Sequence, residues 1–384
     1  MAKLRGTSGL TQKGLITSTT APSSGRIGQL WYKPDTGITY QYTNDGTSSF
    51  WLDVSSSGIG AAAKRGVDYV GDIDPRPNHN GGSATLLVGQ VYYNRELNRH
   101  FVCTTATNDA NVWSGRYAGA GGIITSYLSG GTYYRAHTFL SGGTFYMENT
   151  TSVDYLAVAG GGGGGGDGGG GGGAGGMVAY TSQSIAAGYH TITVGVGGIG
   201  ANGTGTDGGD SQFGSLTASN GGGGGGMYND SKPGRAGGSG GGAGGVNATA
   251  AAGGTATPAG QGSAGGSDST SGNTGGAGGG GKGGVGASLN INNGSTGGGG
   301  ATNFYRDGIS GTTIGTHYFA GGGAGGGYTG AGGAASYGGG TGGTYAGNGY
   351  EGIANSGGGG GGGSAGSKHG ANGGSGIVVI RYAI

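Results

Sequence analysis

The sequence predicts a mostly β chain with much irregular structure: two small antiparallel β modules, then a glycine-rich domain of packed polyglycine-II helices framed by β-strands. Three observations predict it. Glycine fills 114 of 384 positions and forms uninterrupted runs at 160–166, 168–173, 221–226 and 357–363. Short β-branched islands lie between those runs. A pattern leading from Gly-Gln to Trp occurs twice before residue 117.

The runs decide the class. Glycine loses more conformational freedom on folding than any other residue, so its order needs a cause. Collagen requires a strict Gly-X-Y period and abundant proline; homopolymeric runs and six prolines exclude it. Composition alone also fits a disordered linker. A solvated linker, however, has no use for Val153-Asp154-Tyr155-Leu156-Ala157-Val158, Tyr189-His190-Thr191-Ile192-Thr193-Val194 or Gly376-Ile377-Val378-Val379-Ile380-Arg381-Tyr382. These islands are short and β-branched, and two of them alternate as half-buried strands do. Polyproline-II-like helices have three residues per turn and no internal hydrogen bonds, so each N–H and C=O must bond to a neighbour. Glycine lets the neighbours approach closely enough. A run of six or seven spans about 19–22 Å, so the four longest runs match in length, as members of one bundle should.

The elements follow in order. Residues 1–25 are polar, without periodicity, and read as an N-terminal attachment arm. Residues 26–57 form the first module, from Ile27-Gly28-Gln29-Leu30-Trp31-Tyr32 through Thr39-Tyr40-Gln41-Tyr42 and Asn44-Asp45-Gly46 to Trp51. Residues 66–117 hold the second, from Val88-Gly89-Gln90-Val91-Tyr92-Tyr93 through His100-Phe101-Val102-Cys103 and Asn108-Asp109 to Trp113. Each reads as a meander of strand, turn, strand, turn and Trp-bearing strand. Pro34-Asp35-Thr36-Gly37 and Asn44-Asp45-Gly46 carry the turn chemistry. A unit of about 30 residues buries little core, so the modules lean on each other or on other chains. Residues 119–384 form the glycine-rich domain, with further strands at Ile123–Leu128 and Tyr133–Met147. No amphipathic helix is visible; Ala61 to Arg65 makes one turn at most.

Most chemistries lack their residues. Eighteen basic residues balance seventeen acidic ones, which leaves no basic footprint for nucleic acid. No apolar run approaches the length of a membrane-spanning helix. The first ten residues lack the apolar core of a signal peptide, and the single Cys103 allows no internal disulfide. The chain therefore reads as made in a cytoplasm. Gly281-Lys282-Gly283 lacks the Ser or Thr that a P-loop places after its lysine. Asp207-Gly208-Gly209-Asp210 is one copy of what a calcium repeat needs in tandem and reads as a turn with Asx bonds. The six histidines share no metal-ligand spacing, and His190 reads as solvent-facing on its strand. Acidic residues scattered through turns give no handle for glycoside hydrolysis. The Asn-X-Thr triplets at 149, 202 and 247 read as chance. The expectation is a protein without catalytic residues, cofactor, metal or nucleic-acid partner, and not an enzyme.

The aromatics carry what recognition the sequence offers. Tyrosine occurs 22 times, against seven Phe and three Trp. Phe304, Tyr305, Tyr318, Phe319, Tyr328, Tyr337, Tyr345 and Tyr350 sit singly or in pairs between glycine stretches. A tyrosine has a flat apolar face and a polar tip and orders cheaply, which suits binding to sugars or flat protein surfaces from loops on a rigid scaffold. The other reading is that these rings cap the ends of glycine layers in place of a core. Both stay open.

A family likeness rests on particular residues. Tyr155-Leu156-Ala157-Val158-Ala159 running into polyglycine, then Tyr189 to Gly195, Gly208-Gly209-Asp210-Ser211-Gln212-Phe213-Gly214-Ser215-Leu216 and the closing Gly373 to Tyr382, resemble the glycine-rich domain of tailed-phage virion proteins, marine phages especially. The first module, with Thr20-Ala21-Pro22-Ser23-Ser24 and Asn44 to Trp51, is similar to modules of phage structural and tail-fibre proteins. The layout also resembles phage tip adhesins in which stacked polyglycine helices present variable loops. It departs from them in its two N-terminal modules and in the unequal segments between runs. The resemblance implies a structural protein of the virion, made in the host cytoplasm: a tail-fibre or adhesin component. Its N-terminal region would attach to other virion proteins. Its C-terminal loops would meet a bacterial surface glycan or an outer-membrane protein. The alternatives are a capsid- or neck-attached decoration without receptor binding and, from another class, a cell-surface matrix protein. A homo-oligomer, a trimer for instance, fits a fibre, although no heptad or triple-helical repeat demands one.

Overall fold

The computed structural model describes residues 16–25, 29–35, 38–44, 49–53, 69–71, 75, 76, 79, 90–94, 99–107, 111–115 and 119–384, the last without 229–231, 246–249, 269–273, 289, 290, 309, 310 and 312. The expected turn residues Thr36, Gly37, Asp45 and Gly46, the stretch 54–68 and the triplet at 247–249 lie outside them. The chain divides into two compact units, 1–117 and 118–384. All regular structure among the described residues is β, in several small sheets, with no helix.

The first unit holds two sheets of one design. Strands β1 (Ile16–Thr17), β2 (Leu30–Lys33), β3 (Ile38–Asn44) and β4 (Ser49–Asp53) pair in that order, β1 parallel to β2 and the rest antiparallel. Strands β5 (Tyr69–Gly71), β6 (Val91–Asn94), β7 (Arg99–Thr105) and β8 (Val112–Gly115) repeat the arrangement. The repeated Gly-Gln has a backbone role: the Gln29 carbonyl accepts from Tyr42 N–H and the Gln90 carbonyl from Cys103 N–H, each at 2.8 Å. Register makes Trp31 the counterpart of Tyr92, Tyr40 of Phe101 and Trp51 of Trp113. Trp31 stacks on Tyr40 with ring centroids 4.6 Å apart, and Trp51 closes on Trp31 edgewise. In the second sheet Tyr92, Phe101, Cys103 and Trp113 are buried together. His79 sets its ring against Tyr69, Tyr92 and Trp113. The described part of the segment before the first module joins its sheet, because Ile16 and Thr17 pair with Trp31 and Tyr32. The Trp31 and Trp51 indoles also donate to the Ser18 and Pro22 carbonyls at 2.8 Å. An indole N–H inside a small core needs an acceptor, and this segment supplies both.

In the second unit a five-stranded sheet carries the framework. Its order is β10 (Ile123–Ser129), β11 (Thr132–Phe139), β19 (Ile377–Ala383), β13 (Thr151–Val158) and β14 (Met177–Ile185). The last strand of the chain thus lies at the centre, between β11 and β13. A four-stranded sheet, in the order β16 (Gln212–Phe213), β15 (Gly188–Thr193), β12 (Gly143–Met147) and β9 (Gly119–Ala120), covers one face. Alternation sorts the side chains. Tyr155, Ala157, Val378, Ile380 and Tyr382 meet Phe145, Met147, Ile192 and Phe213 across the two sheets. Leu156, Val158, Ile377 and Val379 point to the other face, against Phe319 and Ala320. His190, expected to face solvent, turns inward against Phe213, while its neighbour Tyr189 is exposed. His137 is buried beside the Tyr382 hydroxyl, and its Nδ1–H donates to the Gly121 carbonyl 2.7 Å away. Burial holds its pKa down to about 4, so it is neutral at physiological pH.

From β13 the chain runs directly into glycine. Gly160, Gly163 and Gly166 donate to the carbonyls of Gly209, Thr206 and Gly203. Gly161, Gly164 and Asp167 donate to Gly374, Ala371 and Lys368, and Gly162 and Gly165 to Gly173 and Gly170. The partner changes with each residue and recurs at every third. Acceptance follows the same period: Gly160, Gly163 and Gly166 receive Gly222, Gly225 and Tyr228, Gly161 and Gly164 receive Gly198 and Ala201, and Gly162 and Gly165 receive Gly360 and Gly363. Segment 160–166 therefore bonds to six others, as a rod does in hexagonal packing. Segments 169–176, 321–327 and 357–363 bond in the same manner. Such contact leaves no room for a side chain. A Cβ on Gly161 would enter the carbonyl of Gly358, one on Gly162 that of Gly223, and one on Gly172 that of Gly162.

At the perimeter, side chains replace missing neighbours. Asp210 accepts from Gly221 N–H at 2.7 Å and Asp207 from Gly224 N–H at 3.0 Å, three residues apart on both segments. Arg235 grips both Asp207 oxygens at 2.7 Å. This corrects the expectation of a turn with Asx bonds: the carboxylates seal the edge of the array. Gly172→Ala should lower the melting temperature by the equivalent of about 1–3 kcal/mol, the cost of overpacking a filled interior. Gly203→Ala, where an added Cβ meets nothing within 4 Å, should leave it within experimental error. Calorimetry of the two variants checks the pair.

Candidate functional site

The array has two ends. One adjoins the five-stranded sheet, because run 160–166 leaves β13 and segment 169–176 returns to β14. The reversal between them, at Asp167, lies at the far end. Hydrogen bonds gather the other far-end turns around it: Asp167 N–H to Lys368 O, Tyr228 N–H to Gly166 O, Tyr345 N–H to Gly330 O and Ala365 N–H to Gly327 O.

Five of the eight expected recognition aromatics lie at the sheet end. Phe319 is 0% exposed, packed with Leu156, Val158, Met177 and Ile377. Its place on a recognition surface is corrected: the two-residue pairing of β17 (Ala301–Thr302) with β18 (Tyr318–Phe319) turns the ring onto the sheet. Tyr305 is half-buried with its ring 4.1 Å from the Arg381 guanidinium, which Tyr134 covers from 4.2 Å. Arg381 also pairs with Asp154 at 3.0 Å and donates to the Tyr127 hydroxyl. Phe304 leans on His317, whose Nε2 lies 3.0 Å from Asp307. Tyr318 and Tyr337 meet edge to face at 4.7 Å. These rings close the end of the glycine layers. Tyr350 stands apart on the flank, 64% exposed, with its backbone bonded to Thr341 and Gly361.

Tyr328 and Tyr345 do come together, at the far end. With Tyr228 they line an open cleft of ≈ 510 Å³, whose other walls are Asp167, Thr329, Ala346, Ala365, Gly366 and Lys368. Tyr228 and Tyr328 stack with centroids 5.8 Å apart and planes 27° apart. Tyr345 is 67% exposed. Burial, then Tyr328 and Asp167, push the Tyr228 hydroxyl above its usual pKa, so the ring stays neutral. The cleft walls are held in unusual backbone: Asp167, Ala346 and Ser367 have φ of 55°, 60° and 61°. Side chains other than glycine pay a strain of about 1–2 kcal/mol there. Asp167 stabilises this corner by accepting Gly366 N–H and Ser367 N–H on Oδ1, at 2.8 and 3.1 Å. Flat apolar faces with hydroxyl tips beside an ammonium and a carboxylate suit a polar ring compound.

The array, its framing sheets and the far-end turns all fall within one stretch of sequence. Residues 138–383 match the family described as the glycine-rich domain. The chain belongs to that family. The glycine-rich domain match begins inside β11, so β9 and β10 precede it while sharing its compact unit. No curated protein matches the chain at a significant level.

Sequence reasoning missed Tyr228, Asp167 and Lys368. The signal was present: Asp167, Tyr228 and Tyr328 each follow within two residues of the end of a glycine-rich run that starts at the sheet. Run length thus sets which end a following residue occupies. Phe319→Ala should cost about 3–5 kcal/mol in unfolding free energy, as truncation of a fully buried Phe does. Tyr328→Ala should cost well under half of that. Denaturant unfolding of both variants separates the capping rings from the cleft rings.

Proposed function

We propose that the protein is a structural component of a tailed-phage virion, a tail-fibre or adhesin component whose far-end cleft contacts the bacterial surface. The supporting observation is the division of labour among aromatics: a rigid glycine-rich domain uses the sheet-end rings as caps and displays the far-end rings in an open cleft. In this reading the runs form a polyglycine-II bundle, supported by their three-residue bonding period. The N-terminal modules attach to other virion proteins. The partner at the cleft is a bacterial surface glycan or an outer-membrane protein, and the chain acts as a homo-oligomer. Each cleft binds weakly, and many copies on one particle supply the strength.

A capsid- or neck-attached decoration is the second reading. It draws on Phe304, Tyr305, Tyr318, Phe319 and Tyr337, which pack against neighbouring side chains at the sheet end. Gold-labelled antibody against the chain should mark the distal ends of tail appendages, and the triple change Tyr228→Ala, Tyr328→Ala, Tyr345→Ala should slow adsorption at least tenfold. Label over the capsid or neck, with adsorption unchanged, would replace the adhesin reading by the decoration.

A further inference from the structure

Resting on the cleft as the binding surface, we infer that its ligand is an anionic pyranose: a sugar ring carrying a carboxylate or a phosphate. The charges of the cleft point to it. Asp167 spends its Oδ1 on two backbone N–H groups, Gly366 and Ser367, so part of its charge is already compensated inside the wall. Among the described residues no acceptor bonds the Lys368 ammonium, which stands on the cleft wall with its own carbonyl tied to Asp167 N–H. An ammonium beside a cleft favours a negative group there. The aromatic wall favours a ring. Tyr228 and Tyr328 are stacked, so their inner faces are used, while Tyr345 remains open to solvent. An aromatic face of this kind takes the C–H face of a pyranose, with the tyrosine hydroxyls left for its equatorial oxygens. The size agrees: ≈ 510 Å³ holds one or two sugar rings, within the range of small-ligand sites and far below a protein interface.

The strained turns give the cleft its shape. Asp167, Ala346 and Ser367 all line or border it with positive φ, and Asp167 Oδ1 ties the corner by accepting from Gly366 N–H and Ser367 N–H. The site is therefore formed before ligand arrives, which limits the ordering cost of binding.

The test uses the full chain at pH 7.5 and low salt, with titration calorimetry or ligand-observed NMR. The probes are methyl β-D-glucuronide, glucose 6-phosphate and the neutral methyl β-D-glucoside. Both anionic sugars should bind about threefold to fivefold more tightly than the neutral one, the reach of one partly exposed charge pair. Lys368→Met should level the three affinities while leaving the melting temperature unchanged, and Tyr345→Ala should abolish binding of all three. The two anionic probes tell a carboxylate from a phosphate. Equal binding of all three sugars to the unaltered protein would overturn the anionic assignment. If no sugar binds but Tyr345→Ala still impairs adsorption, the inference falls and the adhesin reading stands. If no sugar binds and adsorption is indifferent to Tyr345→Ala, both fall.

Discussion

Everything in the second unit depends on satisfying buried backbone amides where no side chain is available to help. An unpaired N–H or C=O away from water costs about as much as a lost hydrogen bond. A segment such as 160–166 meets the demand by bonding in three directions in turn, to six neighbours. Bonding in three directions also excludes Cβ atoms, so the same requirement that orders the runs makes them glycine. The entropy lost in ordering glycine is offset collectively. No single segment is stable alone, and each is fixed by the others. The sheets solve the problem of how to begin, since β13 hands its chain to the array and β14 and β19 take it back, all three paired and in register.

Such a lattice has two weak places, its sides and its ends. The sides lack neighbours and are closed by side chains placed at the three-residue interval, as Asp207 and Asp210 are against Gly224 and Gly221. The end at the sheet is closed by rings, Phe319 most deeply. The far end has no sheet to close it. Its turns are free of the glycine requirement, and they hold the tyrosines, the ammonium and the strained corners. Chemistry can vary there without disturbing the interior, which is what makes that end available for the recognition role proposed above.

Much of this was legible in the sequence. The islands at 153–158, 189–194 and 376–382 became β13, β15 and β19, and the glycine runs became one ordered array rather than a linker. The twice-used Gly-Gln turned out to mark the same backbone bond in both N-terminal sheets. What escaped did so for physical reasons. Strands β1 and β5 have two and three residues, too short for any period, and pair in parallel with strands distant in sequence. Strand alternation gives two faces but not which faces the core, so the sequence alone leaves the inward turn of His190 hidden. Among the aromatics, sequence spacing could not say which end of the array each ring occupies. Only the direction of each run, set by its starting strand, separates Phe319 from Tyr328.

Amide hydrogen exchange of the glycine runs, resolved by NMR, tests the account most directly. If three-way backbone bonding orders the array, the amides of Gly160 to Gly166 should exchange as slowly as those of Leu156 and Val379 in the central strands. Their protection should collapse together with the strands under denaturant. Exchange of these glycines at the rate of an unstructured chain, beside protected strands, would contradict it.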